Sequence, residues 1–165
     1  MSDVLNAAPK AKSVKTGVRD TKKIGQALTD VLADTYALVL KTHAYHWNVE
    51  GPLFYGIHQL TETQYGDLFD ATDVLAERIR ALGLLAPMNL SAIIDASVIE
   101  DPAKAPGARE MAADLARDHE RVAFRLHALI ELSEAGKDMV TADLATSRAA
   151  FHEKAAWMLN AISAS

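Results

Sequence analysis

Residues 42–77 read THAYHWNVEGPLFYGIHQLTETQYGDLFDATDVLAE, and they hold three of the chain's six histidines and one of its two tryptophans. Apolar residues keep helical spacing up to Trp47, break at Asn48 and Gly51-Pro52, and resume that spacing from Phe54. The stretch is therefore the end of one helix, a short turn and most of a second helix. A short turn leaves the two as antiparallel neighbours.

Working outward, Ile24, Leu28, Val31, Leu32, Leu38 and Val39 carry the first pattern back to Thr21. Ile57, Leu60, Leu68, Val74, Leu75, Ile79 and Leu82 carry the second forward to Gly83, a residue suited to ending a helix. Gly66 lies inside the second helix, at a cost of about 1 kcal/mol relative to alanine unless close packing needs it. Pro87, Pro102 and Pro106 bar a long helix from residues 84–106, although LSAIIDAS at 90–97 suits two turns. Further long helices are expected at 108–135, stopped by Gly136, and at 141–163, where Phe151, Trp157, Met158 and Ile162 point to a core. No stretch alternates long enough for a sheet. The expected fold is all-α: a ferritin-like four-helix bundle with a short extra helix in the long crossover between helices 2 and 3.

With 165 residues the chain is expected to form one bundle domain over 21–165, preceded by a flexible basic arm over 1–20. The absence of cysteine excludes disulfides and thiolate chemistry. No apolar run is long enough for a membrane span and no secretory leader precedes the bundle, so a cytoplasmic protein without membrane contact is expected. The net charge of −5 divides into +4 on residues 1–23 and −9 on the remainder. A basic arm on an acidic body suits an anionic polymer for the one and cations for the other.

Three groups of side chains suit metal binding. His43 and His46 share a face of the first helix, as do His58 and Glu62 on the second. Asp70, Asp73 and Glu77 continue an acidic face. Mixed imidazole and carboxylate donors suit iron, manganese or zinc. His58 and Asp73 are fifteen residues apart, roughly 22 Å along a helix, so one chain cannot bring both to one ion. Nor does the chain contain a Glu-x-x-His pair of the kind that builds a di-iron site inside one bundle. Two second helices packed antiparallel about a two-fold axis would join the His58/Glu62 end of one to the Asp73/Glu77 end of the other, giving two equivalent sites. Against this stands the plainer reading of such pairs as solvated helix faces.

KTHAYHWNVEGPLFYGIHQLTETQY followed by DATDVLAERIRALG, with TADL and AAWML in the last helix, resembles the Dps family of DNA-binding mini-ferritins from starved cells. The resemblance implies a homo-oligomeric cage of twelve subunits that oxidises Fe(II), with hydrogen peroxide favoured, and stores ferric mineral. It implies a ferroxidase site for two iron ions at the two-fold interface. His46, His58 and Glu62 would come from one subunit, and Asp73 and Glu77 from its mate. His43 would be accessory. Trp47 would absorb stray oxidising equivalents or simply pack in the core.

Glu134, Asp138 and Asp143 match the region where the family lines an iron-entry pore, although Asp138 and Asp143 also suit the start of a helix. Lys10, Lys12 and Lys15 would give the arm non-specific DNA contacts and nucleoid association. The alternative the resemblance leaves open is a nucleoid-binding architectural protein with a weak or vestigial ferroxidase site.

Overall fold

The computed structural model describes residues 7–164. It contains α1 (Thr21–Asn48), α2 (Phe54–Ala81), α3 (Leu90–Ala96), α4 (Ala108–Ala135) and α5 (Met139–Ser163). No strand occurs among the described residues. The four long helices form the all-α ferritin-like bundle, α1 against α2 and α4 against α5, with α3 in the crossover.

Leu28, Leu38, Ile57, Leu68, Leu75, Leu115, Leu126 and Leu129 are wholly or almost wholly buried and recur at helical spacing, so α1, α2 and α4 each turn one apolar stripe inward, while α5 buries Leu159 and a row of alanines. Trp157 departs from the expected core: it is 68% exposed, on the outer face of α5. There it follows Glu153, which bonds His127 of α4, and precedes Asn160, which bonds Glu120. Aromatic character made it look like core, but its place on the helix turns it outward.

The crossover is held by buried carboxylates. Asp34 Oδ1 accepts from the Val98 N–H at 2.7 Å and from Ser97 Oγ at 3.1 Å, while Arg125 bridges Asp34 and the Ala96 carbonyl. Lys41 Nζ donates to the Glu100 carbonyl at 2.8 Å and pairs with Asp118 and Asp114 of α4. The prolines prevent a long helix there, and these polar contacts decide where the chain runs instead.

Two helices end in the same Schellman geometry. At the end of α2, Leu84 N–H reaches the Ile79 carbonyl and Gly83 N–H the Arg80 carbonyl, with Gly83 at φ +93°. At the end of α4, Asp138 N–H reaches Ser133 and Lys137 N–H reaches Glu134, and here the left-handed residue is Lys137 at φ +59°. Gly136 is thus not the left-handed residue. A Cβ on it would lie 2.7 Å from Ile24 Cδ1 and 2.9 Å from the Arg19 carbonyl oxygen, so close approach explains the glycine.

That approach comes from residues before α1, which lie along the bundle end in a non-helical strap. Val14 N–H donates to the Ala81 carbonyl, Arg80 to the Lys10 carbonyl, and Arg19 N–H to the Gly136 carbonyl. Ser13 fills the space where a Cβ on Gly83 would stand. Part of the expected arm, residues 1–6, falls outside the described residues.

Candidate metal centre

The turn between α1 and α2 brings His46 and His58 face to face. Their rings stack at 3.7 Å between centroids, tilted by 17°. His46 Nδ1 lies 3.0 Å from the His58 carbonyl oxygen, and His58 Nδ1 lies 2.9 Å from the His46 carbonyl oxygen. A carbonyl only accepts, so each Nδ1 carries the proton and each Nε2 keeps a free lone pair. Backbone carbonyls thereby fix the tautomer and ring orientation that a metal-ligating imidazole needs. Thr61 Oγ1 lies 3.4 Å from His46 Nδ1 and donates to the Ile57 carbonyl at 2.6 Å, bracing the same corner.

Glu62 follows His58 by one turn of α2 and is exposed; it accepts a long hydrogen bond, 3.5 Å, from Gln59 Nε2. Asp73 and Glu77 are also exposed, roughly 22 Å along α2 for Asp73. Asp73 lies in a shallow cleft with Tyr36, Phe69, Asp70, Thr72 and Ala76. The structure thus brings His46, His58 and Glu62 to one end of α2 and leaves Asp73 and Glu77 at the other. Among the described residues no three His, Asp or Glu side chains of one chain converge on a point.

His43 is half-buried and Trp47 is 66% exposed, so Trp47 is not part of this chain's core. Between them and the histidine pair stands Tyr65, which the sequence reading missed. The His43 ring lies 4.3 Å from Tyr65 and 4.1 Å from Trp47, and Tyr65 meets His46 edge-on at 5.2 Å. The signal was available: once residues 46 and 58 stand level on antiparallel helices, 43 is level with 61, and Tyr65 follows Thr61 by one turn on the same face of α2.

The pore candidates separate. Glu134 and Asp143 are exposed, but Asp138 is 1% exposed and wholly engaged within its own chain. It caps α5 through the Thr141 N–H and hydroxyl and pairs with Arg78 at 2.5 Å. Burial alone would raise its carboxyl, but the bonds from Arg78 and Thr141 outweigh burial and hold it below the usual value. Lys10, Lys12 and Lys15 are exposed along the strap.

The ferritin-like domain family model matches residues 25–164. DNA protection during starvation protein 2 of Bacillus anthracis is 31% identical over 140 residues, 85% of this chain and 96% of that protein. The chain belongs to the Dps family. A low temperature-induced protein of Nostoc is 35% identical over 150 residues, covering 88% of this chain and 84% of that protein. A Dps protein of Vibrio cholerae, described as a member of the ferritin-like diiron-carboxylate superfamily, superposes with a TM-score of 0.81 at 27% identity. That superposition covers 90% of this chain and 98% of the Vibrio chain. Dps membership accounts for the ferritin-like bundle. Among the described residues no helix of this Dps chain is long and apolar enough to cross a membrane.

Proposed function

We propose that the chain is a ferroxidase subunit of an iron-storing cage, with each site completed across a two-fold axis. The observation that carries this reading is the reciprocal bonding of His46 and His58, which leaves both Nε2 lone pairs free beside the exposed Glu62. Asp73 and Glu77 of a partner subunit would complete the donor set. Trp47, Phe54, Tyr55, Phe69 and Val74 are all exposed on α2 and the end of α1, and a second copy would cover them. Gly66 supports the same contact, since a Cβ there would meet nothing within its own chain. The cage has twelve subunits.

Iron is the substrate and hydrogen peroxide the preferred oxidant. Two Fe(II) ions give one electron each; one peroxide takes both electrons and two protons and leaves as two waters. The ferric product is stored as mineral within the cage. This chain's residues hold the two ions close enough for the paired transfer: neutral imidazoles and ionised carboxylates bind, and protonation by acid releases the iron. His43 steadies Tyr65 and Trp47 beside the site, where Trp47 takes up stray oxidising equivalents. Glu134 and Asp143 draw Fe(II) towards the entry pore. Lys10, Lys12 and Lys15 contact DNA phosphates, so the protein is cytoplasmic and nucleoid-associated, and iron removal protects the bound DNA.

Subunit mixing tests the shared site. His58→Ala and Asp73→Ala variants should each oxidise Fe(II) with peroxide at least tenfold more slowly than the natural chain. After dissociation, mixing in equal parts and reassembly, about a quarter of the sites should be intact, because each mixed pair keeps one complete site. No recovery in reassembled particles of full mass would place the donors within one chain. Unchanged rates in both variants would remove the ligand assignment itself.

A further inference from the structure

Four polar side chains that the iron chemistry does not use stand inside the bundle, one from each long helix: Thr42, Gln64, His119 and His152. None is more than 3% exposed. His119 and His152 touch directly, Nδ1 to Nδ1 at 2.9 Å. Lys41, next to Thr42, holds Asp118, next to His119. Asp67, three residues from Gln64, holds Arg148, four residues from His152. The stacked His43 and Tyr65 flank Thr42 and Gln64. These contacts put the four residues within about one turn of one another along the bundle axis.

Five polar atoms around this layer are buried without a hydrogen-bond partner among the described residues: Thr42 Oγ1, both amide atoms of Gln64, His119 Nε2 and Arg148 Nη2. Buried polar groups are almost always satisfied, by protein or by ordered water. The five also match one another in kind. Gln64 Nε2 and Arg148 Nη2 donate, Gln64 Oε1 accepts, Thr42 Oγ1 does both, and His119 Nε2 donates or accepts with its tautomer.

The charge of the layer selects its occupant. Burial, with Arg148 adding to it, holds His119 down to about 3. Burial, His119 and Arg148 hold His152 well below its usual value. Both imidazoles are therefore neutral, one donating its Nδ1–H to the other. Asp118 is engaged by Lys41 and Arg121, and Asp67 by Arg148, so neither carboxylate is free. A divalent cation here would be buried beside a guanidinium with no free anion. An anion would find Arg148 already matched by Asp67. A small neutral molecule that both donates and accepts matches the hydrogen-bonding character of every orphaned atom.

We propose that this layer is a closed hydration site, in which ordered water bridges Thr42, Gln64 and His119 across the helices and which does not take metal ions. The bundle centre is then polar yet metal-free, and histidine-bound metal is confined to the His46/His58 face. The hydration site stands whether or not the iron reading does.

Two measurements on the assembled full chain test it. A crystal structure at atomic resolution should show water bonded to Gln64 and His119; a dry layer whose side chains pair with one another would overturn the proposal. Cobalt(II) added to a His46→Ala/His58→Ala variant probes the layer without the surface histidines. No visible cobalt absorption that depends on His152 should appear. A tetrahedral cobalt band that vanishes on adding His152→Ala would make the layer a metal site and overturn the proposal as well.

Discussion

Lys41 Nζ lies 2.6 Å from Asp118 Oδ2, with the carboxylate side chain fully buried and the lysine 7% exposed. Asp114 lies 2.7 Å from the same ammonium and also accepts from the Tyr45 hydroxyl at 2.6 Å. A buried and a half-buried carboxylate thus share one cation at the junction of α1, α4 and the crossover. Burial raises the Asp118 carboxyl despite Lys41. Lys41→Met should therefore cost about 3 kcal/mol at pH 7, since it strands buried charge. The sign with pH follows from the raised value. Such a carboxyl adds stability at low pH and loses that share as pH rises through its folded-state value, and removing Lys41 raises it further. The deficit relative to the natural chain should shrink as pH falls from 7, through the raised folded-state value, towards the ordinary 3.8. Urea melts of both proteins across that range check this, and an equal deficit throughout would remove Asp118 as its source.

Asp138 has the opposite sign. Its carboxyl is held below the usual 3.8 by Arg78 and Thr141, which outweigh burial. Its contribution is complete above 3.8 and is lost as pH falls through the lower folded-state value. Asp138→Asn keeps a capping side chain but loses the charged pair, at a cost of about 2 kcal/mol at neutral pH. Acid unfolding curves should converge for the two proteins at low pH. If Asp138 is a structural cap, early Fe(II) uptake should not change in this variant, whereas Glu134→Gln/Asp143→Asn should slow it severalfold. Stopped-flow absorbance decides, and slowed uptake in Asp138→Asn particles of normal mass would restore Asp138 to the pore.

The bundle was legible because three physical signals agreed: apolar spacing, the Gly51-Pro52 break and the prolines of the crossover. The stops at Gly83 and Gly136 were placed where α2 and α4 end, but their causes were not legible, because a glycine suited to a left-handed turn looks the same in sequence as one needed for close approach. Gly83 is the first case and Gly136 the second. Trp157 was misplaced because hydrophobicity does not tell a core position from an outward-facing one. The candidate site was legible as a set of donors but not as geometry. Periodicity placed His46 and His58 on their helices; only the turn's path shows each Nδ1 on the other's carbonyl. Tyr65 and the His119–His152 contact join different helices, so no single-helix pattern announces them.

The strap alters what the lysines should do. Lys10 and Lys15 belong to a segment bonded to Arg80 and Ala81 at the bundle end, so they present charge from a held backbone. Lys10→Gln/Lys12→Gln/Lys15→Gln should weaken DNA retardation and reduce the slope of log affinity against log salt by up to about 0.9 per lysine in contact. Iron oxidation in the same particles should stay unchanged. A salt slope equal to that of the natural chain would exclude these three lysines from the phosphate contacts.

Among the described residues Asp20 and Lys137 are the non-glycine residues at positive φ, and Lys137 is the one that ends a helix. It is the left-handed residue of the Schellman turn after α4, at φ +59°, in the place that Gly83 fills after α2. A residue with a Cβ pays roughly 1–2 kcal/mol there, of which glycine returns a part through the entropy of the unfolded chain. The Lys137 side chain is exposed, so little packing is lost. Lys137→Gly should therefore stabilise the chain by about 0.5–1 kcal/mol, a rise in Tm of roughly 1–4 °C. Gly136→Ala, one residue earlier, should do the reverse, because its Cβ meets Ile24 and the Arg19 carbonyl. Thermal melts of the two variants side by side check the assignment. A gain for Gly136→Ala and a loss for Lys137→Gly would reverse the roles given to the two residues.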